Sequence, residues 1–265
     1  MKLTLAAIFL STVAVLQCQT RTPSPPDARD QHNVLTDATK YAVNHEANLP
    51  DFVCIQTTRR FEDLNDGGWR PIDQIVGRLT YLDGRASYKV MLPDRHRASI
   101  SHNQLAGASP SREFDSIMKA IFLPKTQTDF SWQEWYTLRG KRMQVYGYRV
   151  RAFKSSYHIE ISEGSLDLAT AYHGLVFIDT ENHFVQRITL HADEIPASFP
   201  IQDISLTLDY GYTRIGEGTY LLPLQIEFRS RQGARVIRND VNFEHYQKFN
   251  AAPASLFSSE ETTHK

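Results

Sequence analysis

The C-terminal third of the chain largely alternates apolar and polar residues with a period of two. Because successive side chains of a strand point to opposite faces of a sheet, each alternating segment would have one apolar and one polar face. The segments are separated by residues typical of tight turns, which predicts consecutive antiparallel strands. They cover residues 171–179, 184–190, 204–210, 220–228 and 236–243.

Six earlier segments favour strands as well. Asp83-Gly84 is a strong hairpin signal between two of them, because both central positions of that turn need a positive φ. About eleven strands without a βαβ pattern predict a mainly β protein, with a single antiparallel meander rolled into a barrel or half-barrel. The earlier segments cover residues 52–61, 72–82, 85–92, 129–138, 143–150 and 157–162.

Two segments have apolar residues at helical spacing. The first covers residues 37–48 and ends at Leu49-Pro50. The second follows a long polar loop at residues 93–110, begins at the candidate N-cap Ser111 and stops before Pro124. Its apolar stripe would either pack on the sheet as core or lie as a lid across the opening of the sheet. The residues of this stripe are Phe114, Ile117, Met118, Ile121 and Phe122.

The chain begins with a pattern typical of an export signal. Met1-Lys2 precedes an apolar run at residues 3–16, which is shorter than the roughly 20 residues of a membrane-spanning helix. Residues 1–18 are therefore predicted to be a signal peptide, and the protein is expected to be periplasmic or secreted. Residues 15–18 also resemble a bacterial lipobox, although Gln17 stands where a small residue is usual, so anchoring through a lipid on Cys18 remains an alternative.

Composition divides the rest of the chain. Residues 19–33 contain three prolines and predict an extended linker, residues 34–249 form the β domain, and the polar residues 250–265 predict a disordered tail. The formal net charge of -1 disfavours an electrostatically driven nucleic-acid surface. No nucleic-acid partner is therefore expected.

Motifs for catalysis are absent from the sequence. The ten histidines do not form a His-Glu-x-x-His or comparable ligand pattern, and neither a Gly-x-Ser-x-Gly elbow nor a phosphate-binding Gly-rich loop occurs. The sequence therefore favours a protein that is not an enzyme and has no metal and no cofactor.

Several short sequence motifs from Gly174 onward resemble those of bacterial exported proteins of the outer-membrane lipoprotein carrier type. They also resemble motifs of uncharacterised envelope proteins that share the pattern. This group includes the periplasmic lipoprotein chaperone, its outer-membrane receptor and a periplasmic regulator that binds an anti-sigma factor. The motifs are Gly174-Leu-Val-Phe-Ile-Asp179, Val185-Gln-Arg-Ile188, Leu208-Asp-Tyr210, Ile215-Gly-Glu-Gly-Thr-Tyr-Leu-Leu-Pro223 and Asn242-Phe-Glu-His-Tyr-Gln-Lys-Phe249.

The resemblance implies an unclosed half-barrel whose apolar concavity holds acyl chains of a lipid or lipoprotein. The second helix would be the lid, through Phe114, Ile117, Met118 and Ile121. The expected ligand-binding residues are Trp132, Tyr136, Phe177, Leu206, Leu208, Leu224 and Ile226. The alternative is a non-enzymatic sensory or binding module with a filled core, whose partner is another envelope protein.

Overall fold

A computed structural model describes residues 24–91, 117–161 and 166–249. The predicted signal peptide with Cys18, the loop at residues 93–110, Phe114 and the predicted tail lie outside the described residues. Within the described residues, no helix combines the length and the apolar character needed to cross a membrane.

The first helix, α1 (Ala28–Asn44), begins earlier than the predicted bound at residue 37. Its start follows Pro25-Pro26 and is capped by Asp27, whose carboxylate accepts a hydrogen bond from the Asp30 backbone N–H at 2.8 Å. The second half of the predicted linker is therefore helical. A 3₁₀ turn (Glu46–Asn48) follows α1 and completes the predicted segment.

Twelve strands are present in the described residues. The eleven that were predicted are found, and the missed one, β7, is only four residues long. The strands are β1 (Phe52–Leu64), β2 (Arg70–Leu82), β3 (Arg85–Val90), β4 (Asp129–Leu138), β5 (Lys141–Val150), β6 (His158–Ile161), β7 (Leu166–Ala169), β8 (Ala171–Asp179), β9 (Val185–Asp193), β10 (Asp203–Ile215), β11 (Gly218–Gln232) and β12 (Arg235–Lys248).

Ten of these strands form one antiparallel sheet, in the order β3-β2-β1-β12-β11-β10-β9-β8-β5-β4, while β6 and β7 form a separate hairpin. Strand β12 pairs with β1, which brings the first and last strands of the domain together. Strands β3 and β4 are the two edges, so the sheet is not closed. The prediction of a mainly β protein with an unclosed half-barrel is confirmed.

One face of the sheet, here called the inner face, packs against both helices and carries the main core. A single transverse row of paired residues crosses nine strands on this face, and all but one of its members are apolar. In sheet order the row is Trp132, Tyr146, Val176, Ile188, Leu208, Ile226, Val241, Thr58 and Ile75. The row explains the period-two pattern, because each member is the inward residue of its strand.

The opposite, outer face carries a polar group of side chains. Asp209 accepts two hydrogen bonds from the Arg187 guanidinium, at 2.7 and 2.8 Å, and a third from the Gln225 amide at 2.8 Å. The Asp209 side chain is only 3% exposed. These contacts give the buried carboxylate its hydrogen-bond partners. Burial of a carboxylate without such partners would be strongly unfavourable.

The described strands contain five shifts of pairing register, and two of them determine where the predicted residues Tyr136 and Leu224 point. The register of β4 shifts between Trp132 and Glu134, so Trp135 pairs with Gln144 on the inner face and Tyr136 pairs with Met143 on the outer face. The expectation that Tyr136 shares the face of Trp132 is therefore wrong. An extra residue in one strand reverses the alternation beyond it.

A second shift lies between β10 and β11. Asp209 pairs with Gln225 and Tyr210 pairs with Pro223, which leaves Leu224 as the extra residue. Its side chain lies against Gly211, where a Cβ would come within 2.4 Å of Leu224 Cδ1. Since Gly211 has the same parity as Asp209, Leu224 lies toward the outer face, and the expected common face of residues 220–228 is interrupted.

The second helix, α2, is described over residues 117–122. Ile117, Met118, Ile121 and Phe122 are all buried in the main core. The hydroxyls of Thr126 and Thr128 donate to the backbone carbonyls of Leu123 and Ile121, which satisfies acceptors at the end of the helix. The three predicted lid residues that are described therefore face the sheet.

Replacing Asp209 with Asn is expected to lower the free energy of unfolding by about 2–4 kcal/mol, because it leaves a partly buried guanidinium without its charge partner. Urea unfolding would measure the loss. The matched control is Glu227→Gln on the same face, where Glu227 and Arg229 are 46% and 45% exposed and a change of less than about 1 kcal/mol is expected. Equal effects of the two substitutions would contradict the prediction.

Candidate functional site

A cleft lies between α2 and the sheet on the inner face. The free space inside it is about 20 Å³, which is room for about one water molecule. Six residues from separate parts of the chain line it: Ile117, Ala120, Ser156, Tyr157, Tyr172 and Leu190. The cleft is therefore smaller than a typical ligand site of roughly 300–1,000 Å³.

Two tyrosines, Tyr157 and Tyr172, line the cleft, and a third, Tyr148, packs against Tyr172. The ring of Tyr172 makes an edge contact with Tyr148 at 6.1 Å between centroids and a tilted contact with Tyr157 at 5.8 Å. Tyr148 Oη donates to the Thr189 carbonyl at 2.8 Å, which links β5 to β9 across β8. Aromatic pairs of this geometry give a rigid apolar surface.

Gly174 allows Tyr148 to cross β8. The two residues are paired, and a Cβ on Gly174 would lie 1.9 Å from the Thr189 carbonyl oxygen and 3.0 Å from Tyr148 Oη. Any larger residue would therefore push β8 away from β9 or displace the tyrosine. Glycine is required here for close approach and not for an unusual φ.

The Tyr172 hydroxyl differs from that of Tyr148. The residue is 1% exposed, and its Oη has no hydrogen-bond partner among the described residues. Burial raises the pKa of Tyr172 above its ordinary value, so the hydroxyl stays protonated. A buried hydroxyl without a partner is unfavourable, which makes Tyr172 a candidate group for a ligand.

An ion pair holds α2 beside the end of α1. Lys119 Nζ lies 2.7 Å from Glu46 Oε2, and Tyr81 Oη donates to the Glu46 carbonyl at 3.3 Å. The contact is partly exposed, so it positions α2 more than it stabilises the fold. The turn after α1, the edge region of the sheet and the cover of the cleft are thus connected.

Helix α1 fills much of the inner face away from the cleft. Its Tyr41 ring stacks on Phe184 at 3.8 Å between centroids, and the His45 ring packs edge-on against Tyr210 at 6.4 Å. Val34, Ala38 and Ala42 are buried along the same side of the helix. In the described residues, the inner face is therefore covered by side chains over most of its area.

The predicted ligand-binding residues divide between the two faces. Four belong to or pack against the main core on the inner face: Trp132, Leu206, Leu208 and Ile226. Tyr136 and Phe177 lie on the outer face, where their rings contact each other at 5.2 Å, and Leu224 lies at the bulge. None of the seven lines the cleft.

Of the cleft residues, only Ile117 was singled out in the sequence, as part of the lid. Tyr172 is four residues before Val176 in the alternating segment, so the alternation places both side chains on the inner face. This pattern could have identified Tyr172 from the sequence. Ser156 precedes β6 in an irregular segment and carries no comparable pattern, while Tyr157, the first residue of a predicted strand, lies just before β6.

Other chemical groups in the described residues do not form a catalytic arrangement with the cleft. No group of three or more His, Cys, Asp or Glu residues within the described ranges could hold a metal ion. Burial raises the pKa of the Cys54 thiol to about 12, which keeps it protonated and unreactive. His173 and His191 stack on each other, and each contacts a carboxylate, Asp193 or Asp203.

No family model and no curated protein match the sequence significantly. Solved structures do match. A domain described as an outer membrane lipoprotein-sorting protein, from Vibrio parahaemolyticus, is 10% identical, with a TM-score of 0.47 over 84% of this chain and 95% of that one. A LolA superfamily protein from Nitrosomonas europaea is 11% identical, with a TM-score of 0.36 over 86% and 97%.

A third match is a DUF1329 family protein from Desulfovibrio piger. It is 7% identical, with a TM-score of 0.39 over 86% of this chain and 96% of that one. The first two proteins are described as members of the group that the sequence motifs of this chain resemble. All three TM-scores are below 0.5.

His45 should make stability depend on pH. Burial lowers its pKa from 6.5 to about 4, so the unfolded chain binds a proton more readily than the folded protein between these values. The neutral His45 side chain makes its full contribution to the free energy of unfolding above about pH 6.5. This contribution amounts to about 2–3 kcal/mol and is lost as the pH falls toward 4. Urea unfolding across this range would measure it.

His45→Phe is expected to flatten the dependence of unfolding free energy on pH by up to one proton equivalent in the same window. His32→Gln, at an exposed position of the same helix, is the control and should leave the slope nearly unchanged. If His45→Phe kept the full slope, His45 would not be the titrating group.

Proposed function

We propose that this protein is an exported, non-enzymatic carrier that binds an acyl chain of a lipid or lipoprotein on its inner face, entering through the cleft below α2. The cleft carries the proposal, because it is a concave opening in the apolar inner face and is lined mainly by aliphatic and aromatic surface. Export and a possible anchor on Cys18 rest on the sequence pattern alone.

The position of the cleft supports the proposal further. It lies at the joint between the sheet and α2, where a small displacement of α2 would widen it. Trp132, Leu206, Leu208 and Ile226 are the inner-face residues that a deeper chain would contact, and Ile117, Met118 and Ile121 would cover it. Tyr136, Phe177 and Leu224 have no place in this proposal, because they lie toward the outer face.

Filling the cleft should abolish binding. Ala120 is a small residue of α2 at the cleft, and Ala120→Trp would place an indole in the space available to a ligand. Native mass spectrometry of protein taken from the cell envelope is expected to find acyl-chain adducts on the wild type and at least a tenfold smaller fraction on the variant.

Ala28→Trp is the matched control, because Ala28 is exposed at the start of α1 and does not line the cleft. It should retain the adducts, and urea unfolding should show that both variants remain folded. A wild type without adducts, or an Ala120→Trp variant that retains them, would contradict the proposal.

The filled inner face favours a second candidate, a sensory or protein-binding module whose partner is another envelope protein. Tyr81, Tyr146 and Tyr210 are almost fully buried there, and such a core can be purely structural. Affinity capture from envelope extracts distinguishes the two candidates. A reproducible protein partner without bound lipid would favour the module.

A further inference from the structure

We infer that the ligand of the cleft carries an uncharged hydrogen-bond acceptor, such as an ester carbonyl, next to its acyl chain, and that Tyr172 binds this group. The inference rests on the proposed function and specifies its ligand class. Two independent observations support it, namely the buried hydroxyl of Tyr172 without a partner and the absence of charge from the described lining of the cleft.

The hydroxyl supplies the polar contact. Tyr172 lines the cleft and is 1% exposed, yet its Oη has no hydrogen-bond partner in the described part of the chain. Tyr148, whose ring contacts Tyr172, uses its own hydroxyl on the Thr189 carbonyl. Of these two buried tyrosines, Tyr172 is therefore the one with an O–H to offer to a ligand.

The surroundings select an uncharged acceptor. The six described lining residues are Ile117, Ala120, Ser156, Tyr157, Tyr172 and Leu190, and none of them is charged. An ionised carboxylate held there would lose its hydration without gaining a cation from these six residues, which is strongly unfavourable. A carbonyl needs only the one donor that the tyrosine provides.

The Tyr172 hydroxyl stays a hydrogen-bond donor over the physiological pH range. Burial raises the pKa of Tyr172, which keeps the proton on the oxygen. A ligand carbonyl would thus meet an O–H group at neutral pH. Ser156, on the same lining, is a second hydroxyl within the cleft and offers further hydrogen-bonding capacity.

Three probes of equal chain length test the inference on the full-length exported protein: lauric acid, methyl laurate and dodecane. Competition against a fluorescent acyl probe at neutral pH would give their relative affinities. Methyl laurate is expected to bind several-fold more tightly than either ionised lauric acid or dodecane. Tyr172→Phe should weaken methyl laurate about fivefold to tenfold, the equivalent of one hydrogen bond, and leave dodecane unchanged.

Tyr148→Phe is the control, because it removes a buried hydroxyl that already has a protein partner. It should change the affinities for methyl laurate and dodecane by the same factor. Urea unfolding provides a second check. Tyr172→Phe should not destabilise the protein, since no internal hydrogen bond is lost, whereas Tyr148→Phe should.

Each other outcome has a distinct meaning. Equal binding of methyl laurate and dodecane, unaffected by Tyr172→Phe, would overturn the inference and leave the acyl-chain proposal standing. Tighter binding of lauric acid than of its ester would overturn it in favour of an anion site. If none of the three probes bound, the proposed function itself would fail, and the inference with it.

Discussion

The structure depends on the need to cover one apolar face of a sheet that does not close. The transverse row from Trp132 to Ile75 runs across nine of the ten strands and is almost wholly apolar. A closed barrel would cover such a row with its own far wall, but this sheet ends at β3 and β4. In the described part of the chain helices α1 and α2 supply the cover, and the cleft lies between α2 and the sheet.

The outer face explains why the sheet keeps this orientation. Its Asp209 carboxylate is held by Arg187 and Gln225 from the two neighbouring strands, so turning any one strand over would break the group. A one-residue slip in a sheet reverses both faces at once. The ion pair and the apolar row thus favour the same register.

Alternation along the chain predicted strands well, because each strand has one buried and one exposed side. The bounds of β4 and β8 agree with the prediction, whereas β7 is too short for a period to be seen. The bulges beside Trp132 and at Leu224 could not be predicted, since an extra residue leaves no mark in composition. The cleft could not be predicted either, because α2, an irregular segment and two strands form it jointly.

The free energy that α2 contributes by burying its apolar side chains sets how much apolar surface a ligand must bury to displace the helix. The four buried side chains in the described part of α2 contribute about 6–12 kcal/mol, at about 1.5–3 kcal/mol for each. A ligand that displaced the helix completely would need to bury roughly 8–15 methylene groups in its place, at about 0.8 kcal/mol per group. That range overlaps the lengths of common acyl chains, so the apolar burial lost when the helix moves and the burial gained by a chain are of the same order.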